Sequence, residues 1–291
     1  MGIKEVFKFL FSFLLMFLIL GFCASLFVNT KLLNTSFYEA SLNKSKYYEY
    51  LPEEVNKGLA ILSISTGMPQ EVFTNTVNND FLKEVTNNNI RNAVDYMKYN
   101  TQELQYSLDK DKLQGEIYSN LESYAKANNI NLNSEAKGQL TQVSKDFVEI
   151  TENHSNLFNM DAVVKLGAFQ KFRKVIALLG KLMIPFLIGI IFFTIDILLL
   201  HKGAYRKSLL WIGSSFIPAG IIMVVPSIFA LVARIPYRIG IGLPYLKEAV
   251  QVFVIGYINY FLMVGICTIA MGIILLVLYS VSQSGKRSSS Y

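Results

Sequence analysis

Four stretches of this chain are nearly free of polar side chains for twenty residues or more: 7–28 (FKFLFSFLLMFLILGFCASLFV), 175–200, 208–233 and 250–281. A helix needs ~20 apolar residues to cross ~30 Å of hydrocarbon. Only helices and closed barrels satisfy every backbone group there. The pattern predicts an all-α membrane protein with four transmembrane helices. Composition fits, with 52% hydrophobic residues and a mean hydropathy of +0.37 gathered into blocks.

Residues 29–174 differ in kind. They are polar, rich in Asn (NNDFLKEVTNNNIRN, KANNINLN), and long enough for a core of their own. From 30 to 170 there are 18 acidic and 13 basic residues, a charge of −5; the whole chain carries +6, so the remainder carries +11. The basic excess belongs to the membrane part, and nothing reads as a nucleic-acid surface. Phe81, Val85, Ile90, Val94 and Met97 recur near helical spacing, as do Leu113, Ile117, Leu121 and Tyr124, then Leu140, Val143, Phe147 and Ile150. The expectation is an all-α extracytoplasmic bundle of five or six helices inserted between spans one and two. Pro52 and Pro69, each followed within two residues by an acid, are read as first helical positions. No proline intervenes between Met160 and Pro185, which predicts one unbroken helix leading into span two.

Short basic loops set the orientation. HKGAYRKS (Lys202, Arg206, Lys207) between spans two and three is placed inside with Lys4, Lys8, Lys286 and Arg287. Residues 1–28 are then a cytoplasmic tail and an uncleaved anchor, 29–174 is extracellular, and 282–291 is a cytoplasmic tail. Both cysteines, Cys23 and Cys267, fall inside spans, so no disulfide framework is expected. A cysteine-free helical ectodomain suits the cell membrane of a Gram-positive bacterium.

The catalytic inventory is short. His154 and His201 are the two histidines, neither beside a cysteine, and no phosphate-cradling loop or nucleophile motif occurs. No enzyme activity, metal or cofactor is expected. Asp196 is the one acid inside a span. It is read either as an ion-pair partner of Lys202, Arg206 or Lys207, or as a proton- or ion-handling carboxylate. Between spans three and four lies RIPYRIGIGLPYLKEA, 234–249. Its prolines and glycines predict an irregular segment at the outer interface, with Tyr237 and Tyr245 at headgroup level. Arg234, Arg238 and Lys247 would face anionic lipid or the acidic ectodomain, or the two arginines would grip a phosphate or carboxylate in a re-entrant or ligand-binding segment. Ser215 with Ala219, and Thr268 with Gly272, are small-residue pairs that allow close helix approach.

Ala162-Val163-Val164-Lys165 before span two and Tyr205-Arg206-Lys207-Ser208-Leu209-Leu210 opening span three carry a resemblance. The layout resembles an uncharacterised Gram-positive family of four-span integral membrane proteins with a helical region after the first span. That resemblance implies topology and no mechanism. The order of anchor, ectodomain and three spans is also similar to permease subunits of mechanotransmission ABC systems, although HKGAYRKS is short for a coupling element. Two functions remain in view. One is a non-enzymatic envelope protein (scaffold, sensor or regulatory subunit) whose ectodomain binds another envelope protein or an anionic lipid or polymer. The other is a transporter or channel component using the Pro/Gly-rich spans and Asp196. Either is compatible with a homo-oligomer.

Overall fold

The computed structural model describes residues 3–156, 163–202 and 204–287. It is all-helical, with no strand among the described residues. Four helices are long and apolar enough to cross a membrane, within Lys4–Leu32, Met183–Leu200, Tyr205–Val232 and Pro244–Ser282. The helices are α1 (Ile3–Phe27), α2 (Thr35–Lys44), α3 (Tyr47–Thr66), α4 (Glu71–Thr74), α5 (Asn79–Met97), α6 (Lys110–Ala127), α7 (Ser134–Ser155), α8 (Gly167–Lys181), α9 (Met183–Leu200), α10 (Ser208–Val232) and α11 (Pro244–Arg287). They divide between two compact units: 1–34, 174–240 and 253–291 form the first, 35–173 and 241–252 the second.

In the first unit α1 packs against α9 and α10 around Leu15, Ile19, Cys23, Ile197, Ile212, Ala219 and Met223. Small residues set the spacing. A Cβ on Gly21 would lie 2.7 Å from the Phe186 ring, and one on Gly189 would lie 3.2 Å from Leu18. Polar links cross the same contact. The Ser12 hydroxyl donates to the Trp211 carbonyl at 2.8 Å, and the Ser215 hydroxyl donates to the Ser12 carbonyl at 2.8 Å. Backbone-directed hydroxyl bonds of this kind satisfy polar groups that hydrocarbon cannot.

α10 and α11 touch through glycines in a seven-residue register. Gly213 faces Gly272 and Gly220 faces Gly265, each Cβ position lying 2.6–3.0 Å from the opposite glycine's carbonyl oxygen. The four-residue spacing expected from Ser215–Ala219 and Thr268–Gly272 is only part of this. The closest approach is made by glycines one heptad apart on both helices.

The helix leading into the second of the four long apolar helices is not continuous. α8 ends at Lys181 and α9 begins at Met183, with Leu182 off helical geometry (φ −82°, ψ 0°). Pro185 has no N–H for the Lys181 carbonyl and its ring crowds that same group, so the break falls four residues before the proline. Ser25 and Asn29 donate to the Leu179 and Gly180 carbonyls at 2.5 and 3.0 Å and so support the broken end. A further break follows Val164, since α8 begins only at Gly167. The expected single rod from Met160 is therefore corrected; Met160 itself and Ala162 lie outside the described residues.

The second unit has six helices between Thr35 and Ser155 among the described residues. Tyr47, Leu51, Val55, Leu59, Phe73, Leu82, Leu113, Ile117, Leu121, Leu140 and Phe147 are buried at its core. Asn78, Asp109 and Asn133 cap α5, α6 and α7, each side-chain oxygen accepting the N–H three residues on, at 2.8, 3.0 and 2.8 Å. Pro52 is not a helix start. α3 begins at Tyr47, and Pro52 sits buried in its second turn, where it costs only the bond to the Tyr48 carbonyl. Pro69 precedes the short α4 by two residues.

Candidate functional site

Asp196 sits half-buried in α9, one residue before the buried Ile197. It makes no ion pair or hydrogen bond among the described residues. The bases expected to neutralise it are directed elsewhere or exposed. Arg206 donates from Nη1 to the Ser282 carbonyl at 2.8 Å, while Lys202 and Lys207 are exposed. The ion-pair reading is thus corrected: proximity in sequence across a helix end did not bring the charges together. His201, next along the chain, is buried, and its Nδ1 is 2.8 Å from the Ile197 carbonyl. It spends that nitrogen on its own helix.

The 234–249 segment separates into two parts. Arg234 adopts a left-handed conformation (φ 53°) that ends α10. Ile235–Arg238 then forms a single 3-10 turn packed back on α10, with Pro236 buried. Arg234, Tyr237 and Arg238 are all exposed, and neither arginine has an acidic partner among the described residues. These three belong to the first unit.

Tyr245 and Lys247 belong to the second unit, and here the expectation fails. Pro244 does not break a helix but begins one, since the first turn has no use for the N–H that proline lacks. Residues 244–249 are the start of α11, not an irregular interfacial loop. Tyr245 is buried, with its ring centroid 5.5 Å from that of Tyr47, so it is a core residue and not a headgroup anchor. Lys247 is half-buried.

Among the described residues no group of three or more His, Cys, Asp or Glu side chains is placed to hold a metal ion. His154 directs Nδ1 to the Ile150 carbonyl at 2.8 Å. A cleft of about 660 Å³ between α6 and α7 is lined by Lys110, Asp111, Lys145, Glu149 and Glu152. Lys110 and Glu152 close one side of it at 2.6 Å. The mixed charges compensate one another, and no nucleophile stands beside a base.

Two features lay beyond the sequence reading. Ile61 and Ile64 in α3 are 69% and 83% exposed, three residues apart on one face, while Leu51, Val55, Leu59 and Leu62 fill the core on the other. The sequence shows an apolar run there but not which members face solvent. Arg173 is 3% exposed between the rings of Tyr96 and Tyr99. Both tyrosines lie far from Arg173 in the chain, so no local sequence signal marks the contact. Compared with family models, curated proteins and solved structures, the chain matches none significantly.

Proposed function

We propose that this chain is a non-enzymatic multi-pass membrane protein of the bacterial cell envelope whose helical domain, outside the cell, docks a protein partner as a scaffold, sensor or regulatory subunit. The exposed Ile61–Ile64 pair on α3 carries this reading. Full burial of an aliphatic side chain is worth ~1.5–3 kcal/mol, so the two together could supply the centre of an interface with a polar rim. Apolar side chains left uncovered on all four long helices, such as Phe17, Ile188, Phe229 and Met263, support insertion in a bilayer. The loop bases Lys202, Arg206 and Lys207 favour placing that end, and both chain termini, in the cytoplasm. A photo-crosslinking amino acid at Ile64, and separately at exposed Gly138, tests the docking in intact cells. The reading requires a discrete crosslinked protein at 64 and none at 138. The same species at both positions, or none at 64, defeats it.

A second reading, a transporter or channel component, draws on Asp196, whose carboxyl finds no basic partner among the described residues. Asp196→Asn would then abolish flux in liposomes without loss of protein. Wild-type flux in that variant, or no flux in either, removes the support.

A further inference from the structure

The glycine register between α10 and α11 has a continuation. Gly213 meets Gly272 and Gly220 meets Gly265; one heptad further, the same register pairs Ser227 with Ile258. Where glycines stood, side chains now stand, so the backbones cannot stay in contact at this level. A cavity of about 570 Å³ lies there, and both Ser227 and Ile258 line it. Leu20 and Ala24 of α1 form another wall, with Pro226 and Ala230 along α10. Alanines at 24 and 230 leave room that larger residues would take. The Ser227 hydroxyl is already spent on the Met223 carbonyl at 2.7 Å, so it asks nothing of a ligand. The lining calls for hydrocarbon, and the volume falls within the ~300–1,000 Å³ range of ligand pockets.

The chemistry changes at one end. Four residues beyond Ala230, about 6 Å along a helix, comes Arg234, followed by Arg238 in the 3-10 turn that folds back on α10. Both guanidinium groups are exposed and lack an acidic partner among the described residues. A guanidinium presents a planar fork that matches phosphate oxygens. An apolar slot with two free arginines one turn past its end matches a molecule with a hydrocarbon chain and an anionic phosphate head.

We infer that the groove between α1, α10 and α11 is a binding site for an anionic glycerophospholipid, with an acyl chain along Ala24, Ala230 and Ile258 and the phosphate at Arg234 and Arg238. The site goes beyond partner docking and rests only on the membrane-crossing part of that reading.

The test uses the full chain in mild detergent with phosphatidylglycerol or phosphatidylcholine, read by native mass spectrometry. Wild type is expected to retain phosphatidylglycerol at least tenfold better than phosphatidylcholine. Ala230→Trp and Ile258→Trp, filling the groove from opposite walls, should lose retention of both lipids. Arg234→Gln with Arg238→Gln should lose the preference alone. A phosphatidylglycerol with a diazirine in its acyl chain needs no variant, and in wild type it should label peptides containing Ala24, Ala230 or Ile258. Equal retention of the two lipids by wild type, undiminished retention in the filled variants, or labelling elsewhere would overturn the site. Carbonate extraction of native membranes separates the two failures. A chain released by carbonate defeats the membrane reading, whereas one that stays inserted but retains no lipid defeats only this site.

Discussion

Replacing Arg173 by alanine should weaken the helical unit by about 3 kcal/mol, a figure that follows from what the guanidinium touches. Its Cζ lies 3.5 Å from the Tyr96 ring centroid and 3.7 Å from that of Tyr99. Nε donates to the Tyr96 carbonyl at 2.7 Å and Nη2 to the Thr101 carbonyl at 2.9 Å. Each cation–π contact contributes ~0.5–2 kcal/mol, more when desolvated, and each charged hydrogen bond ~1.5 kcal/mol or more. Desolvating the charge and ordering a long side chain offset part of that sum. Tyr99 adds a second sign of the same constraint. It holds φ 61° just past the end of α5, where glycine is the usual residue. Stacking on Arg173 adds to the Tyr99 and Asn100 N–H bonds to the Tyr96 and Asp95 carbonyls, both 3.0 Å, in offsetting that strain. Lysine would keep the charge but lose the fork and the flat stacking face, so Arg173→Lys should fall between, at about 1–2 kcal/mol. Pulse proteolysis of the full chain in a urea series, scoring cleavage within 35–173, gives the differences. An alanine variant costing under ~1 kcal/mol, or a lysine variant equal to wild type, would refute the clamp.

Gly220→Ala would push a methyl to 2.5 Å from Ile269 and 2.6 Å from the Gly265 carbonyl, so it should destabilise the first unit by ~1–3 kcal/mol or more. Gly115→Ala and Gly138→Ala meet nothing within 4 Å and should each raise the second unit's stability by ~0.5–1 kcal/mol, measured by the same proteolysis. Burial pushes the phenols of Tyr47 and Tyr48 well above the usual tyrosine value, with Glu39 adding to the shift at Tyr48. Both phenols are neutral in the fold, so their contribution is complete below the unfolded pKa of ~10 and is lost as pH rises beyond it. The Tyr47→Phe, Tyr48→Phe double variant should flatten the alkaline limb of a stability-against-pH curve; an unchanged limb contradicts the assignment. Pro185→Ala restores a donor for the Lys181 carbonyl and should let α8 run straight into α9, read as a changed spin-label distance across Leu182. An unaltered distance would assign the break to something other than the proline.

What the sequence made legible was whatever depends on a long run or a steady period. The four apolar helices and the helical character of 35–155 follow from averages over many residues, which no single contact can upset. What depended on one residue's place in three dimensions was not legible. Pro244 has the same chemistry whether it breaks a helix or begins one, and only the path of the chain around it decides. Tyr245 reads as an interfacial aromatic until Tyr47, two hundred residues away, is placed against it. Asp196 and the bases that follow it are close in sequence, yet a helix end and a turn send them apart. The glycine contact was half visible: spacing four marks Gly272 but not the seven-residue register that pairs it with Gly213. Ile61 and Ile64 could not be separated from their buried neighbours, because an apolar run does not say which face the rest of the fold will cover.

Thiol accessibility in intact cells tests the placement of this chain most directly. In a background with Cys23→Ser and Cys267→Ser, single cysteines would be introduced as Gly138→Cys, Arg238→Cys and Lys202→Cys, then exposed to a membrane-impermeant maleimide. Four crossings with the helical domain outside predict that 138 and 238 label in intact cells and 202 only after permeabilisation. Labelling at 202 in intact cells with 138 protected would invert the topology. Labelling of all three without permeabilisation would contradict a membrane-spanning chain altogether.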